Sequence, residues 1–126
     1  MTDASQKLGA VEWRDLTVDD ASAVSEFYAA VVGWEPSPVS MGEYDDFNML
    51  IPGTDEPAAG ICHARGFNSE LPAQWLMYVK VPDLEASVSA CEAGGGKVLV
   101  GPKTMGDSSF CVIEDPAGAV MALMSG

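Results

Sequence analysis

Few side chains in this sequence could act as a nucleophile, a general base or a soft metal ligand. The chain has one histidine, His63, and three cysteines, Cys62, Cys91 and Cys111. An imidazole of ordinary pKa can accept or donate a proton near neutral pH, so His63 is a candidate base, hydrogen-bond donor or lone metal ligand. The alternative is a strand-end side chain near solvent. A site that needs two histidines is excluded unless a second subunit contributes one.

The cysteines lack the spacing of zinc or redox sites, because no Cys-x-x-Cys pair occurs. Cys62 and His63 are adjacent, and adjacent residues of a strand point to opposite faces, so they are not predicted to be a nucleophile and its base. We interpret the three thiols as small buried hydrophobic groups in a reducing compartment.

An internal repeat indicates which elements would position these side chains. In each copy an alternating segment leads to an Asp, an apolar series at helical spacing, a glycine and three short apolar segments. This order predicts two strand–helix–strand–strand–strand units, each helix capped by its Asp and ended by glycine. A shift of 63, half of the 126 residues, superposes five pairs: Leu16 and Val79, Val18 and Val81, Asp20 and Asp83, Gly33 and Gly96, Phe47 and Phe110.

The pattern predicts the bounds of the strands and their faces. The predicted strands cover about 13–20, 34–39, 44–51 and 59–64, then 76–83, 97–100, 109–114 and 119–124. Alternation directs Leu16, Val18, Val79 and Val81 towards the helices. It leaves the opposite faces to Trp13, Asp15, Thr17, Leu76, Tyr78 and Lys80. We expect an α+β fold whose two βαβββ modules form a small cleft.

Seven short motifs occur in this order: Trp13-x-x-Leu16, Asp20, Phe27-Tyr28, Gly33-Trp34, Trp75-x-x-Tyr78-Val79, Gly95-Gly96-Lys97-Val98 and Asp115-Pro116-x-Gly118-Ala119. From about Gly9 to Met124 the chain resembles the vicinal oxygen chelate superfamily, which includes glyoxalase I, extradiol dioxygenases and bleomycin-resistance proteins. The nearest branch is that of small glyoxalase-like proteins without an assigned reaction. The resemblance implies one glyoxalase-like domain over 1–126, with module 1 at about 9–64, module 2 at about 73–126, and a homodimer.

The resemblance also implies where metal ligands would lie. In metal-dependent members the first and last strands of each half supply one ligand each. The corresponding positions hold Trp13, Leu76, Ala122 and a residue within 59–63, where only His63 could bind a metal. A single imidazole is a poor site for a divalent ion, so we predict no metal and no other cofactor.

The leading hypothesis is therefore a small-molecule-binding protein of the glyoxalase and bleomycin-resistance type without a full metal site. The residues predicted to bind the ligand are Trp13, Asp15, Asn48, His63, Tyr78 and Met121. Trp13 could instead belong to the core, Met121 could fill a core gap, and Asp15 could form a surface ion pair with Lys80. One alternative is a metal-dependent lyase, isomerase or dioxygenase that uses Glu12, His63 and Glu114. Another is a non-catalytic docking or regulatory subunit.

The acidic composition limits the partners. The formal net charge is -13, from 6 Lys and Arg against 19 Asp and Glu. Such a surface repels phosphates, so nucleic acid and anionic membranes are disfavoured. No apolar stretch approaches the roughly 20 residues of a membrane span, and the first residues lack signal-peptide features. These features predict a cytoplasmic protein.

Overall fold

Two successive sets of one strand, one helix and three strands make up the fold. The structure, a computed structural model, describes residues 7–126, except for the side chains of Phe67 and Met105. No helix among the described residues is long and apolar enough to span a membrane. The predicted α+β order of elements is confirmed. The elements are β1 (Val11–Val18), α1 (Ala21–Val32), β2 (Glu35–Ser40), β3 (Asp45–Leu50), β4 (Pro57–His63), a 3-10 turn (Gly66–Asn68), β5 (Trp75–Lys80), α2 (Leu84–Ala93), β6 (Lys97–Met105), β7 (Ser108–Glu114) and β8 (Val120–Ser125).

The chain divides into two compact units. The first unit is Arg14–Trp75, and the second unit is Leu76–Gly126 together with 7–13. In the first unit the strand order is β2-β3-β4-β1, with β1 parallel to β4 and the other neighbours antiparallel. In the second unit the order is β5-β8-β7-β6, with β5 parallel to β8 and the others antiparallel. Each unit is therefore a mixed sheet with one helix.

The core of the first unit lies between α1 and one face of its sheet. Its fully buried apolar members are Leu16, Ala21, Met49 and Ile61, and Val18, Val24, Tyr28, Trp34 and Phe47 pack against them. Asp20 accepts a hydrogen bond from the Ala23 backbone N–H at 3.0 Å, and Gly33 ends the helix in the left-handed conformation with φ 89°. The predicted cap, stop and helix-facing strand residues are confirmed.

An aromatic cluster extends from this core to the surface. Tyr28 lies 5.3 Å from the Trp75 ring and 6.1 Å from the Trp34 ring, centroid to centroid. Trp75 Nε1–H donates to the Tyr28 hydroxyl at 3.1 Å. Phe27, the neighbour of Tyr28, lies outside the core, because its side chain is 57% exposed. The inward stripe of α1 runs through Ala21, Val24, Ser25 and Tyr28, which leaves Phe27 beside it.

The core of the second unit has the same arrangement around α2. Its buried members are Leu84, Cys111 and Leu123, packed by Val79, Val81, Val88, Val98, Ile113 and Met121. Asp83 caps α2 by accepting from the backbone N–H groups of Glu85 and Ala86 at 3.1 and 3.2 Å. β7 and β8 form an antiparallel hairpin, and Gly118 N–H donates to the Asp115 carbonyl at 3.0 Å in the turn.

Strand β6 is longer than its sequence predicts. The strand was predicted over about 97–100, but pairing with β7 resumes at Lys103 and continues to Met105. The register shifts between Val98 and Lys103 leave the Gly101–Pro102 pair as an irregularity in the strand. Proline lacks a backbone N–H, and a bulge is where a strand tolerates that loss.

Candidate functional site

The face of the first-unit sheet opposite α1 carries a row of polar side chains. Asp15 on β1 is in register with Gly60 on β4, and Gly60 with Asn48 on β3. The next residues along two of these strands, Leu16 and Ile61, pack under α1. Because side chains alternate along a strand, Asp15 and Asn48 project from the opposite face. The structure thus brings these two predicted ligand-binding residues together in one row, on either side of a glycine.

Three more polar side chains share this face, which we call the polar face. Thr17 is in register with Cys62, and Asp46 lies two residues before Asn48 on β3. Thr17 is only 2% exposed and Asp46 only 7%. Asp46 Oδ1 accepts a hydrogen bond from the His63 backbone N–H at 2.8 Å, which holds the carboxylate in place. The polar face therefore combines hydroxyl, amide and carboxylate groups in an enclosed setting.

The thiol of Cys62 is held in its protonated form. Burial raises the pKa of Cys62 to about 12, with further increases from the charges of Asp15 and Asp46 and from a hydrogen bond with the Asp46 side chain. A nucleophilic cysteine needs a lowered pKa, which positive neighbours or a helix N-terminus provide. Cys62 has carboxylates as neighbours instead. It can donate a hydrogen bond but is unsuited to nucleophilic catalysis at neutral pH.

His63 lies apart from the polar face. It is in register with Val18, whose side chain packs towards α1. Its Nδ1 is 3.3 Å from the Asp19 carbonyl oxygen and 3.4 Å from the Ala21 backbone nitrogen, so it accepts or donates there according to its tautomer. Its ring contacts Tyr44 edge to face at 5.3 Å. The imidazole thus caps the start of α1 and does not join Asp15 and Asn48.

The predicted ligand-binding residues of the second unit lie on different faces. Tyr78 is in register with Ala122, and its neighbour Val79 packs under α2, so Tyr78 projects from the other face. Met121 packs against the buried cluster under α2. Trp13 is half-buried on β1. The structure therefore separates Met121 from Tyr78.

The charged candidates of the second unit have local partners. Lys80 was expected at the surface but is buried, and its Nζ donates to the Gly126 carbonyl at 3.4 Å. Glu114 Oε2 lies 4.0 Å from Lys97 Nζ. Glu12, the other acid of the enzyme hypothesis, is half-buried on β1.

The amino-acid sequence matches the model of a known protein family. Residues 15–124 match the family model described as a glyoxalase-like domain. The chain belongs to the glyoxalase-like domain family. A Mycobacterium tuberculosis protein named "Putative glyoxylase CFP32" is 32% identical to this glyoxalase-like domain over 120 residues, which cover 91% of the chain and 45% of that protein. The anthracycline biosynthesis protein DnrV of Streptomyces peucetius is 30% identical over 127 residues, which cover 91% and 46%. The chain spans about half the length of these curated relatives.

Solved structures share the fold of this glyoxalase-like domain. A glyoxalase/bleomycin resistance protein/dioxygenase superfamily member from Vibrio splendidus 12B01 has a TM-score of 0.59 at 12% identity, covering 90% of this chain and 97% of that one. Streptomyces coelicolor methylmalonyl-CoA epimerase in complex with 2-nitronate-propionyl-CoA has a TM-score of 0.55 at 18% identity, covering 95% and 96%. The predicted relationship to the vicinal oxygen chelate superfamily is confirmed.

The residues at the four implied metal-ligand positions do not form a donor set. Trp13, Leu76 and Ala122 carry no ligating atom, and Leu76 and Ala122 are fully buried. The fourth position lies within 59–63, where the donors are Cys62, whose raised pKa of about 12 keeps the thiol protonated, and His63, whose Nδ1 lies at the start of α1. Among residues 7–126, no three His, Cys, Asp or Glu side chains are placed so that they could hold a metal ion. The metal of metal-dependent members does not fit this glyoxalase-like domain.

Three members of the polar face, Asp46, Cys62 and Thr17, were absent from the predicted ligand-binding set. Asp46 and Asn48 are two residues apart on β3 and therefore point to the same face. The alternation of side chains along this strand could have identified Asp46. Cys62 was interpreted as a buried hydrophobic group, and only the strand register places it beside Thr17. Thr17 was predicted on the correct side of β1, opposite the helix, but was not counted among the ligand-binding residues.

Proposed function

We propose that this glyoxalase-like protein binds a small molecule on the polar face of the first unit, without a metal. The observation that carries the proposal is the row in which Gly60 separates Asp15 from Asn48. Glycine adds no side chain between the two polar groups, and such a position in a strand commonly allows close approach of a ligand. Polar groups held in fixed positions can set the orientation of a bound ligand.

The charges of the polar face favour a particular ligand chemistry. Asp15 and Asp46 are hydrogen-bond acceptors, while Thr17 and Asn48 can donate or accept. The net charge of -13 adds a field that repels anions. The ligand we propose is therefore neutral or cationic and rich in hydroxyl or amine donors. The acyl-CoA ligand of the epimerase neighbour is anionic and is disfavoured by these charges.

Catechol is a suitable probe, because it is neutral and carries two adjacent hydroxyl donors. We expect titration with catechol to shift the amide resonances of Asp15, Thr17 and Asn48 in nitrogen-15 NMR spectra, with EDTA present throughout. 1,2-Dimethoxybenzene has the same ring without donors and should shift them far less. Equal responses to the two compounds, or a response that requires a divalent ion, would contradict the proposal.

Matched variants make the assignment specific. Asp15→Asn removes one charged acceptor and should weaken catechol binding about tenfold or more. Asp45 is exposed and points to the face of β3 opposite that of Asp46 and Asn48. Asp45→Asn removes its charge and should leave binding unchanged. The predicted roles of Trp13, His63, Tyr78 and Met121 are tested in the same titration, by Ala substitution of each.

The homodimer implied by the family resemblance is also part of this proposal. Light scattering coupled to size exclusion should give twice the 13.2 kDa of one chain. A monomer mass over the whole concentration range would contradict it and would leave the polar-face proposal standing, because all residues of that face belong to one chain.

A further inference from the structure

The second unit has an open pocket at the start of α2. Its volume is about 490 Å³, within the range of small-molecule sites. It lies on the α2 side of the sheet, beyond the part that the helix covers, and its residues are separate from the polar face of the first unit. Pro82 and Pro102 supply apolar walls. The pocket has no part in the function proposed above.

A ladder of three hydroxyl groups lines this pocket. Thr104 on β6 is in register with Ser109 on β7, and Ser109 with Ser125 on β8. Cys111 and Leu123, two residues away from Ser109 and Ser125 on their strands, pack under α2, so the hydroxyls project from that same face. Neighbouring strands are about 4.8 Å apart, and the ladder therefore spans about 10 Å. This spacing suits a ligand with several hydroxyl groups.

Two carboxylates and one lysine line the pocket around the ladder. Asp83 and Glu85, at the start of α2, line the pocket and are exposed. Asp83 already accepts from the backbone N–H groups of Glu85 and Ala86, so these donors of the helix start are occupied and offer little to an anion. Lys103 also lines the pocket and is in register with Phe110. Because side chains alternate along β6, its side chain points to the face opposite that of Thr104. The geometry favours a cationic group beside the hydroxyl ladder.

We propose that this pocket binds a small polyhydroxylated amine of the amino-sugar class. The hydroxyls of the sugar contact Thr104, Ser109 and Ser125, its apolar ring face lies against the prolines, and its ammonium group lies beside Glu85. Sugars present both a polar rim and an apolar face, which matches this combination of walls. The net charge of -13 raises the local concentration of the cation.

The test is NMR titration with glucosamine, galactosamine and mannosamine, each compared with its N-acetylated form, which keeps the hydroxyls and loses the charge. We expect the amino sugars to shift the resonances of Thr104, Ser109, Ser125 and Glu85, and to bind more tightly than the acetylated forms. Raising the salt concentration should reduce the difference in affinity between the amino sugars and their acetylated forms, because salt screens the contact between the ammonium group and the carboxylate. Glucuronate, the anionic probe, should bind most weakly.

Two variants on α2 provide a matched comparison. Glu85→Gln should weaken amino-sugar binding about threefold and leave the acetylated sugars unaffected. Glu92→Gln removes the same charge at the far end of the helix and should change neither. Ser109→Ala should weaken both classes. The proposal is overturned if none of the amino sugars shifts these resonances, if the acetylated sugars bind as tightly as the amino sugars, or if glucuronate binds most tightly. A catechol response at the polar face is unaffected by any of these outcomes.

Discussion

The carboxylate of Asp46 forms a hydrogen bond with the thiol of Cys62 on the adjacent strand. The same carboxylate accepts the backbone N–H of His63 at 2.8 Å, so it connects the polar face to the end of β4. An acid beside a buried thiol stabilises the protonated thiol, because a thiolate would place a second negative charge there. This pair makes the polar face a hydrogen-bonding surface and not a nucleophilic one.

The first prediction concerns the reactivity of this thiol. Iodoacetamide reacts with the thiolate, and a rise in the pKa from 9.0 to about 12 lowers the thiolate fraction at pH 8 on the order of a thousandfold. We expect Cys62 to be alkylated far more slowly in the folded protein than in denaturant, measured by peptide mass spectrometry. Asp46→Asn should accelerate the reaction and Asp45→Asn should not. Equal rates in folded and unfolded protein would show that the thiol is not protected.

The second prediction concerns stability at high pH. Burial raises the folded-state pKa of Cys62 to about 12 and that of Cys111 to about 11, both above the ordinary value of 9.0. As the pH rises past 9, the unfolded chain releases these protons first. The free energy of unfolding should therefore fall between pH 9 and about 12, by at most about 1.4 kcal/mol per pH unit for each thiol. Urea denaturation at several pH values measures this. Cys62→Ala should reduce the slope, and an unchanged slope would contradict the assignment.

The third prediction tests the cap of α1. Asp20→Ala removes the acceptor for the Ala23 backbone N–H and should lower the free energy of unfolding by about 1 kcal/mol. Asp20→Ser keeps an acceptor and should recover most of the loss. Asp19→Ala removes an adjacent exposed acid without a cap and serves as the control. A loss of the same size for Asp19→Ala would mean that charge, and not the cap, is responsible.

The fourth prediction tests the core of the first unit. Ile61 is fully buried under α1, whereas Ile51 is 37% exposed. Ile61→Ala should lower the free energy of unfolding by about 2–5 kcal/mol, because it removes buried apolar surface and leaves a cavity. Ile51→Ala removes the same atoms and should cost far less. Similar losses in urea denaturation would argue against the placement of β4 in the core.

The repeat in the sequence was a good guide up to each helix and a poorer one beyond it. Leu16 and Val79 both pack under a helix, and Asp20 and Asp83 both cap one. In the strands after the helices, residues that are 63 positions apart no longer face the same side of their sheets. Phe47 packs under α1, whereas Cys111 and not Phe110 packs under α2. β2 has 6 residues and pairs with β3 without a register shift, whereas β6 has 9 residues and two register shifts against β7. A fixed shift therefore cannot preserve the alternation of the later strands.

The sequence predicts only part of the candidate site, because some of its residues are positioned by contacts between distant parts of the chain. Asp15 was placed correctly opposite the helix, because its strand alternates clearly and Leu16 marks the buried side. Asn48 could not be assigned to a face until the register with Gly60 was known. His63 needed the position of α1, since its Nδ1 contacts groups 42 and 44 residues away in the chain. Pairing between distant strands, and not local pattern, decides these positions.

We predict that this member of the glyoxalase-like family has no metal centre, since Trp13, Leu76 and Ala122 stand at positions where the family resemblance implies metal ligands. Native mass spectrometry of the untagged protein, before and after addition of zinc, nickel and manganese, tests it directly. We predict the mass of the metal-free chain or of its dimer, with no stoichiometric ion after buffer exchange. One divalent ion retained per chain, and lost in His63→Ala, would contradict the account.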